Sequence, residues 1–388
     1  MTIPPVNRAS GTRSGPPLLD AASSEPLLPV AREALLAALD AGWADPRRLH
    51  SEARRARLLL DNAREATADA LAVHPDEVTF TGSGTEAVHR GLLGLLRGRR
   101  RVGTRVIRSA VEHSSVLHAL DWAEVPVSEI GVSSTGRVDL EALAGSLASS
   151  AQEPVALVAL QSANHEVGTE QPVEEAAELA GDVPLFVDAC ASLGRLPLPA
   201  GWSVAAGSAH KWGGPAGTGL LLVRRRARWR APFPLDDRSD PRAVGFENVP
   251  AALASAAALQ QVVAEADEVG ARQRELVDLV RARVAQLPDT EVVGEPEARL
   301  PHLVTFSALY VDGEALVSEL DRRGFGIASG SACTSSTLAP SHVLAAMGAL
   351  THGNVRLSLG RDTTREDVEA FLAAVPEVVT ALRAQVGL

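Results

Sequence analysis

Cysteine is nearly missing from this 388-residue chain: there are two. That is too few for a disulfide framework and, without several histidines close by, too few for a structural zinc site. Aromatic residues are scarce at 3%, so a core has to rest on Leu, Val and Ala. No segment has the uninterrupted apolar length of a membrane span. The amino-terminal stretch also lacks the apolar region of a secretory signal. Basic residues are outnumbered, 37 Lys and Arg against 48 Asp and Glu, for a net charge of −11. That balance argues against nucleic acid as a partner. The basic runs Arg97-Gly98-Arg99-Arg100-Arg101 and Arg224-Arg225-Arg226 read as solvated element ends. Together these absences describe a soluble protein of a reducing, cytoplasmic compartment, with no membrane partner and no metal.

What is present is a chain 46% hydrophobic, enough for a large core in two lobes. Residues 1–16, rich in Pro, Gly, Ser and Arg, read as a disordered leader. Helices are expected over 29–41 and 51–73. Strands at 78–80, 105–109, 125–127, 155–160, 184–187 and 219–223 then alternate with helical stretches. Such alternation implies a mainly parallel sheet covered on both faces. One long helix over 251–287 reads as a connector. Beyond it, strands near 303–306 and 354–358 mix with helices at 313–323, at 341–350 and from 364 onward, a smaller α+β lobe. The division expected is 30–255 for the large domain, with 17–29 and 256–388 forming the small one.

Four short stretches carry chemistry. Thr81-Gly82-Ser83-Gly84-Thr85-Glu86 lies between a strand and a helix, where free N–H groups and the helix dipole attract an anion. Its spacing is neither that of a P-loop nor that of a dinucleotide fingerprint, and an ordinary turn is the plainer reading. Asp188 ends an apolar strand at the carboxyl edge of the sheet, where ligands of open α/β sheets bind; a helix cap is the plainer reading there. Lys211, in Ser208-Ala209-His210-Lys211-Trp212-Gly213-Gly214, sits amid small residues between apolar strands. That setting suits a lysine forming a Schiff base with a planar cofactor, and an Asp is the expected partner of a pyridinium nitrogen. Cys333, in Ser329-Gly330-Ser331-Ala332-Cys333-Thr334-Ser335-Ser336, is a thiol in a bendable loop rather than a packed strand. It is either a reactive group or an incidental surface cysteine.

The run SAHKWGGPAGTGLLLVRR, with VDA upstream and SGSACTSS downstream, resembles the class V, cysteine desulfurase-like enzymes that use pyridoxal 5'-phosphate. It is most similar to the group with the long cysteine loop, and Asn354-Val355-Arg356-Leu357-Ser358-Leu359-Gly360-Arg361 also matches. The resemblance runs from about residue 17 to the end. It implies a fold-type I transferase, α/β, with a mainly parallel seven-stranded sheet, a smaller α+β domain and a homodimeric assembly. It further implies that Lys211 holds the cofactor and moves protons, that Asp188 keeps the pyridine nitrogen protonated, and that His113 stacks on the ring and takes part in acid–base steps. Asn164 would lie near the ring hydroxyl. Gly84, Thr85, Ser208 and His210 would bind the phosphate, Arg356 would clamp the substrate carboxylate, and Cys333 would be the nucleophile. Cys190 would pack beside the cofactor, while His50 aligns with a family histidine or serves the structure.

This chain departs from the family pattern at four places. A Gln that bonds the ring oxygen is replaced by Ala191. An Asn near the substrate carboxylate is Asp45, which repels that carboxylate unless Arg47 or Arg48 compensates. A glycine-rich stretch is replaced by Leu235-Asp236-Asp237-Arg238-Ser239-Asp240-Pro241, and a Thr that reaches the partner subunit's phosphate is Phe246. The reaction implied is removal of sulfur from L-cysteine or a related amino acid, giving alanine and a Cys333 persulfide that passes to a sulfur-acceptor protein. A C–S lyase, a selenocysteine lyase or an aminotransferase with another substrate stays open, as does a cofactor-free partner subunit.

Overall fold

The structure, a computed structural model, describes residues 17, 19–149, 153–235, 240–243, 245–329 and 340–387. The leader and residues 330–339, with Cys333, lie outside that set. Seven strands form the larger sheet: β1 (Val78–Thr81), β2 (Arg105–Ser109), β3 (Val127–Ile130), β4 (Val155–Gln161), β5 (Leu185–Asp188), β6 (Val204–Ser208) and β7 (Gly219–Val223), in the order β1-β7-β6-β5-β4-β2-β3. Strands β2 to β6 pair in parallel, and β7 runs antiparallel to both β6 and β1. The mainly parallel seven-stranded sheet is therefore present.

Period-two alternation sorts its side chains. Val106, Leu157, Phe186 and Val204 face helix α3 (Gly84–Arg99) with Ala87, Leu92 and Leu95. Their neighbours Ile107, Val158, Val187 and Ala205 face the other way. There they meet α2 (Ser51–Leu71) through Leu60 and Ala63, and α7 (Val249–Ala264) through Ala252 and Leu259. Each fully buried Leu, Val or Phe of this kind contributes about 1.5–3 kcal/mol. Helix α3 lies especially close to the sheet: a Cβ on Gly91 would come within 2.6 Å of the Phe186 ring.

The smaller sheet, β10-β11-β9-β8, is antiparallel, built from β8 (Thr290–Val293), β9 (Leu303–Ala308), β10 (Ala328–Ser329) and β11 (Asn354–Ser358). Leu276, Val280, Leu316, Phe371 and Val375 close a second core over it, and Leu19 from the start of the chain joins them. The single connector helix is corrected to two, α7 and α8 (Ala266–Val284), bent by 67°. Glu265 ends the first, its N–H still bonded to Gln261, and its carboxylate pairs with Arg361. Helix α7 is apolar nearly all round within the large core, whereas α8 buries one stripe against the small sheet. The two environments demand different axes.

Candidate active site

Five strands deliver their carboxyl ends to one edge: β1 at Thr81, β2 at Ser109, β4 at Gln161, β5 at Asp188 and β6 at Ser208. The segments leaving them line a cavity of about 190 Å³. Helix α3 opens there, with the Ser83 hydroxyl accepting the Glu86 N–H at 3.0 Å. Its first residue has to be small, because a Cβ on Gly84 would meet Ser208 Cβ at 2.6 Å and Oγ at 2.8 Å. The helix N-terminus is thereby brought against Ser208, whose Oγ lies 3.1 Å from His210 Nδ1. Gly84, Thr85, Ser208 and His210 all line this end of the cavity. Oriented N–H groups, hydroxyls and an imidazole make a cradle for an anion.

Asp188 is buried, and its Oδ1 accepts the Cys190 N–H at 2.9 Å. The neighbouring Cys190 thiol is pushed well up by burial and by Asp188, so it behaves as a small apolar group. Lys211 ends a 3₁₀ turn, Ala209–Lys211, and forms a wall shared by this cavity and a smaller one behind it. His113 caps α4 (Ser114–Ala123), its Nδ1 accepting the Ser115 N–H at 3.1 Å. Burial lowers its pKa against the pull of Asp188, leaving a neutral ring over the cavity. Of the eight residues expected around the cofactor, the structure brings seven to this cavity: Gly84, Thr85, His113, Asp188, Ser208, His210 and Lys211. Cys190, expected beside the cofactor, lines it too.

Three expected residues stand elsewhere. Asn164 does not line the cavity: Nδ2 donates to the Val111 carbonyl at 3.1 Å, and Oδ1 accepts the N–H groups of Glu166 and Val167 at 2.8 Å. With its amide spent on the loop, it shapes the backbone instead of meeting a ring hydroxyl. The neighbouring His165, which the sequence reading passed over, lines the cavity instead. Arg356 is buried beside it. One Nη donates to the His165 carbonyl at 3.1 Å, and the other to Asp20 at 2.9 Å and Ser23 at 2.6 Å. Its Nε is buried without a partner, so only part of the fork remains for a substrate carboxylate. Asp45 does not line the cavity. Both arginines compensate it, Arg47 at 3.1 Å and Arg48 at 3.3 Å, and Arg47 donates to the Gly245 carbonyl at 3.0 Å. The backbone N–H of Arg47 heads the interactions that lower the Asp45 pKa. His50 caps α2, accepting the Ala53 N–H at 3.3 Å, a structural role.

Gln161 and Ser115 also line the cavity unannounced. The rule that strand carboxyl ends face the ligand would have found Gln161 and His165, which sit at and just beyond the end of β4. Glu112, next to His113, is wholly buried. Its pKa is raised to about 8 by burial, against the Gln161 N–H it accepts, and further by Asp188.

With this geometry in place, the aminotransferase class-V family matches residues 18–371. The chain belongs to the aminotransferase class-V family. Relatives of this class-V chain include an IscS-like cysteine desulfurase from Mycobacterium tuberculosis, 36% identical over 386 residues, covering 94% of this chain and 96% of the relative. The cysteine desulfurase IscS of Methanosarcina thermophila is 31% identical over 376 residues, covering 94% and 92%. A solved NifS-like protein superposes with a TM-score of 0.85 at 25% identity, over 95% of this chain and all of that one. Class-V aminotransferases and cysteine desulfurases depend on pyridoxal 5'-phosphate. The class-V site fits that group: an anion cradle that Gly84 keeps close, a buried carboxylate and a lysine meet in one cavity.

Proposed function

We propose that this protein is a pyridoxal phosphate-dependent cysteine desulfurase that takes sulfur from L-cysteine, releases alanine and carries the sulfur on Cys333 for an acceptor protein. The observation that carries the reading is the convergence of Lys211, Asp188, His113 and the Gly84–Ser208 cradle on one cavity, in a chain whose relatives are cysteine desulfurases. Ser208, His210, Thr85 and the start of α3 would hold the phosphate. Asp188 would hold a proton on the pyridine nitrogen, and Lys211 would bind the cofactor through its amine. Bound there, the cofactor supplies an electron sink at the substrate Cα. Lys211 would then move the Cα proton, and His113, neutral and facing the cavity, would lie against the ring.

Cys333 as thiolate attacks the substrate sulfur. The new S–S bond forms as the C–S bond breaks, and the electron pair leaves with the carbon, which takes a proton to become alanine. The described residues that follow the Cys333 stretch meet the site. Ser341 Oγ donates to Glu166 Oε2 at 2.8 Å, and His342 Nε2 lies 2.9 Å from the Glu112 carbonyl. On the entry side, Ser329 pairs with Val355 next to Arg356. A homodimer in a cytoplasmic setting completes the proposal. Exposed apolar side chains support the dimer: Leu36 and Leu39 on α1 (Pro29–Ala41), Trp43 just beyond its end, and Leu49 and Phe246.

Replacing Cys333 by Ala tests this reading. The holoprotein should keep the visible absorption of its lysine-linked cofactor, while sulfide and alanine from L-cysteine fall by at least a hundredfold. Undiminished turnover of the Cys333→Ala protein would overturn the persulfide route.

A further inference from the structure

We infer that His165 is the group that meets the cofactor's ring oxygen in this chain, and that Ala191 leaves it the room to do so. The inference rests on the cofactor reading above. Around a pyridoxal ring the oxygen-bearing carbon adjoins the ring carbon that carries the aldehyde, on the side away from the phosphate arm. Asp188 accounts for the nitrogen edge, Lys211 for the aldehyde carbon, and the Gly84–Ser208 end for the phosphate. The cavity lining left for the oxygen is Ser115, Gln161, Ala163, His165 and Ala191, besides the apolar Val88 and the buried Cys190 thiol. The Ser115 hydroxyl is engaged by His113 Nδ1 at 2.8 Å. Gln161 is already engaged, its Nε2 donating to the Val111 carbonyl at 2.6 Å. Both alanines lack a polar atom.

His165 remains, and it is uncommitted. It is 7% exposed, its Nδ1 is buried without a partner, and no hydrogen bond to either ring nitrogen is formed among the described residues. Its backbone is nevertheless fixed, because Arg356 holds its carbonyl and Asn164 pins the two residues that follow. The ring stands edge-on to His113 with centroids 4.8 Å apart. His165 and Ala191 also share, with Lys211, the wall of the smaller cavity, space that a longer side chain at 191 would fill. A buried, unpaired donor on a rigid loop is costly unless a ligand satisfies it.

Four charged or titratable groups face this imidazole: His113, Lys211, Arg356 and His342. With burial, they hold it neutral. A neutral imidazole donates one N–H. Given to the ring oxygen, that bond favours the ionised oxygen and makes the Lys211-linked cofactor release its proton at lower pH.

The test is a pH titration of the visible absorption of the holoprotein, with cofactor affinity measured alongside. His165→Ala should raise the midpoint by about one unit, a tenfold change in proton affinity, and weaken cofactor binding. His165→Asn, which restores an N–H donor, should recover part of the shift. His165→Phe, which keeps a buried ring but has no N–H, should raise the midpoint as His165→Ala does. A native midpoint in His165→Ala overturns the inference. Should that variant fail to retain cofactor, His165→Phe decides, because a native midpoint there overturns it equally. A native protein with no visible band, or a band that survives Lys211→Ala, overturns the cofactor reading instead.

Discussion

Glu112 shows how a single side chain can be kept in its minority ionisation state. Its Oε1 accepts the Gln161 N–H at 2.9 Å, its Oε2 has no partner, and Asp188 is near enough to oppose a second negative charge. The folded carboxyl is therefore pushed up to about 8, while in the unfolded chain it titrates in the ordinary range. Below that ordinary range both states hold the proton and there is no penalty. Between it and pH 8 the unfolded chain releases the proton and the fold retains it, so stability falls as pH rises. Glu112→Gln cannot titrate. Its melting temperature should exceed the native value by more at pH 8 than at pH 5, and an equal offset at both would contradict a buried neutral carboxyl. The sequence could not announce Glu112, because its unusual state comes from tertiary burial. The same holds for His165, whose importance depends on an alanine 26 positions away (191 − 165). Lys211 and Asp188 were legible because their surroundings, small residues and an apolar strand, are written beside them in the chain.

At the level of elements, the join between α3 and β6 decides whether an anion can be held. Gly84→Ala would force the Ser208 side chain or the helix to retreat, since the added Cβ falls inside contact distance. Overpacking of that kind costs about 1–3 kcal/mol. It also opens the cradle, so cofactor affinity should drop at least tenfold, as equilibrium dialysis would show; unchanged affinity would argue against phosphate at this helix end. Strand β6 itself escaped the sequence reading. Val204-Ala205-Ala206-Gly207-Ser208 has little intrinsic strand preference. It is held in the middle of the sheet because Gly207 lets Leu193 and Trp212 pack closely. Strands such as β4 and β7 were legible because they are unbroken apolar runs, buried on both faces. The connector was read as one helix because helical character continues through Glu265; the bend comes from two cores pulling on either half.

For the whole molecule, the exposed apolar surface is the feature that a lone chain leaves unexplained. Leu36 and Leu39 are exposed one turn apart on α1, and Trp43, just past the end of that helix, is 63% exposed. A second copy covering that face would remove several large side chains from water. Changing Leu39 and Trp43 together to Asp should shift sedimentation from dimer toward monomer while the circular dichroism spectrum stays native. A dimer unaffected by both charges would place the interface elsewhere. The order of strands and helices, and with it the edge that carries the site, was legible from alternation alone. A second copy is an expectation that only the resemblance supplies. Lys211 has one more consequence on this scale. Every other basic residue among the 37 is arginine, whose guanidinium stays protonated and cannot condense with an aldehyde. Apart from the α-amino group, the molecule therefore offers an aldehyde cofactor a single amine and no decoys. Hydride trapping of the bound aldehyde should add one mass increment to the intact chain, and the increment should map to the peptide that contains Lys211.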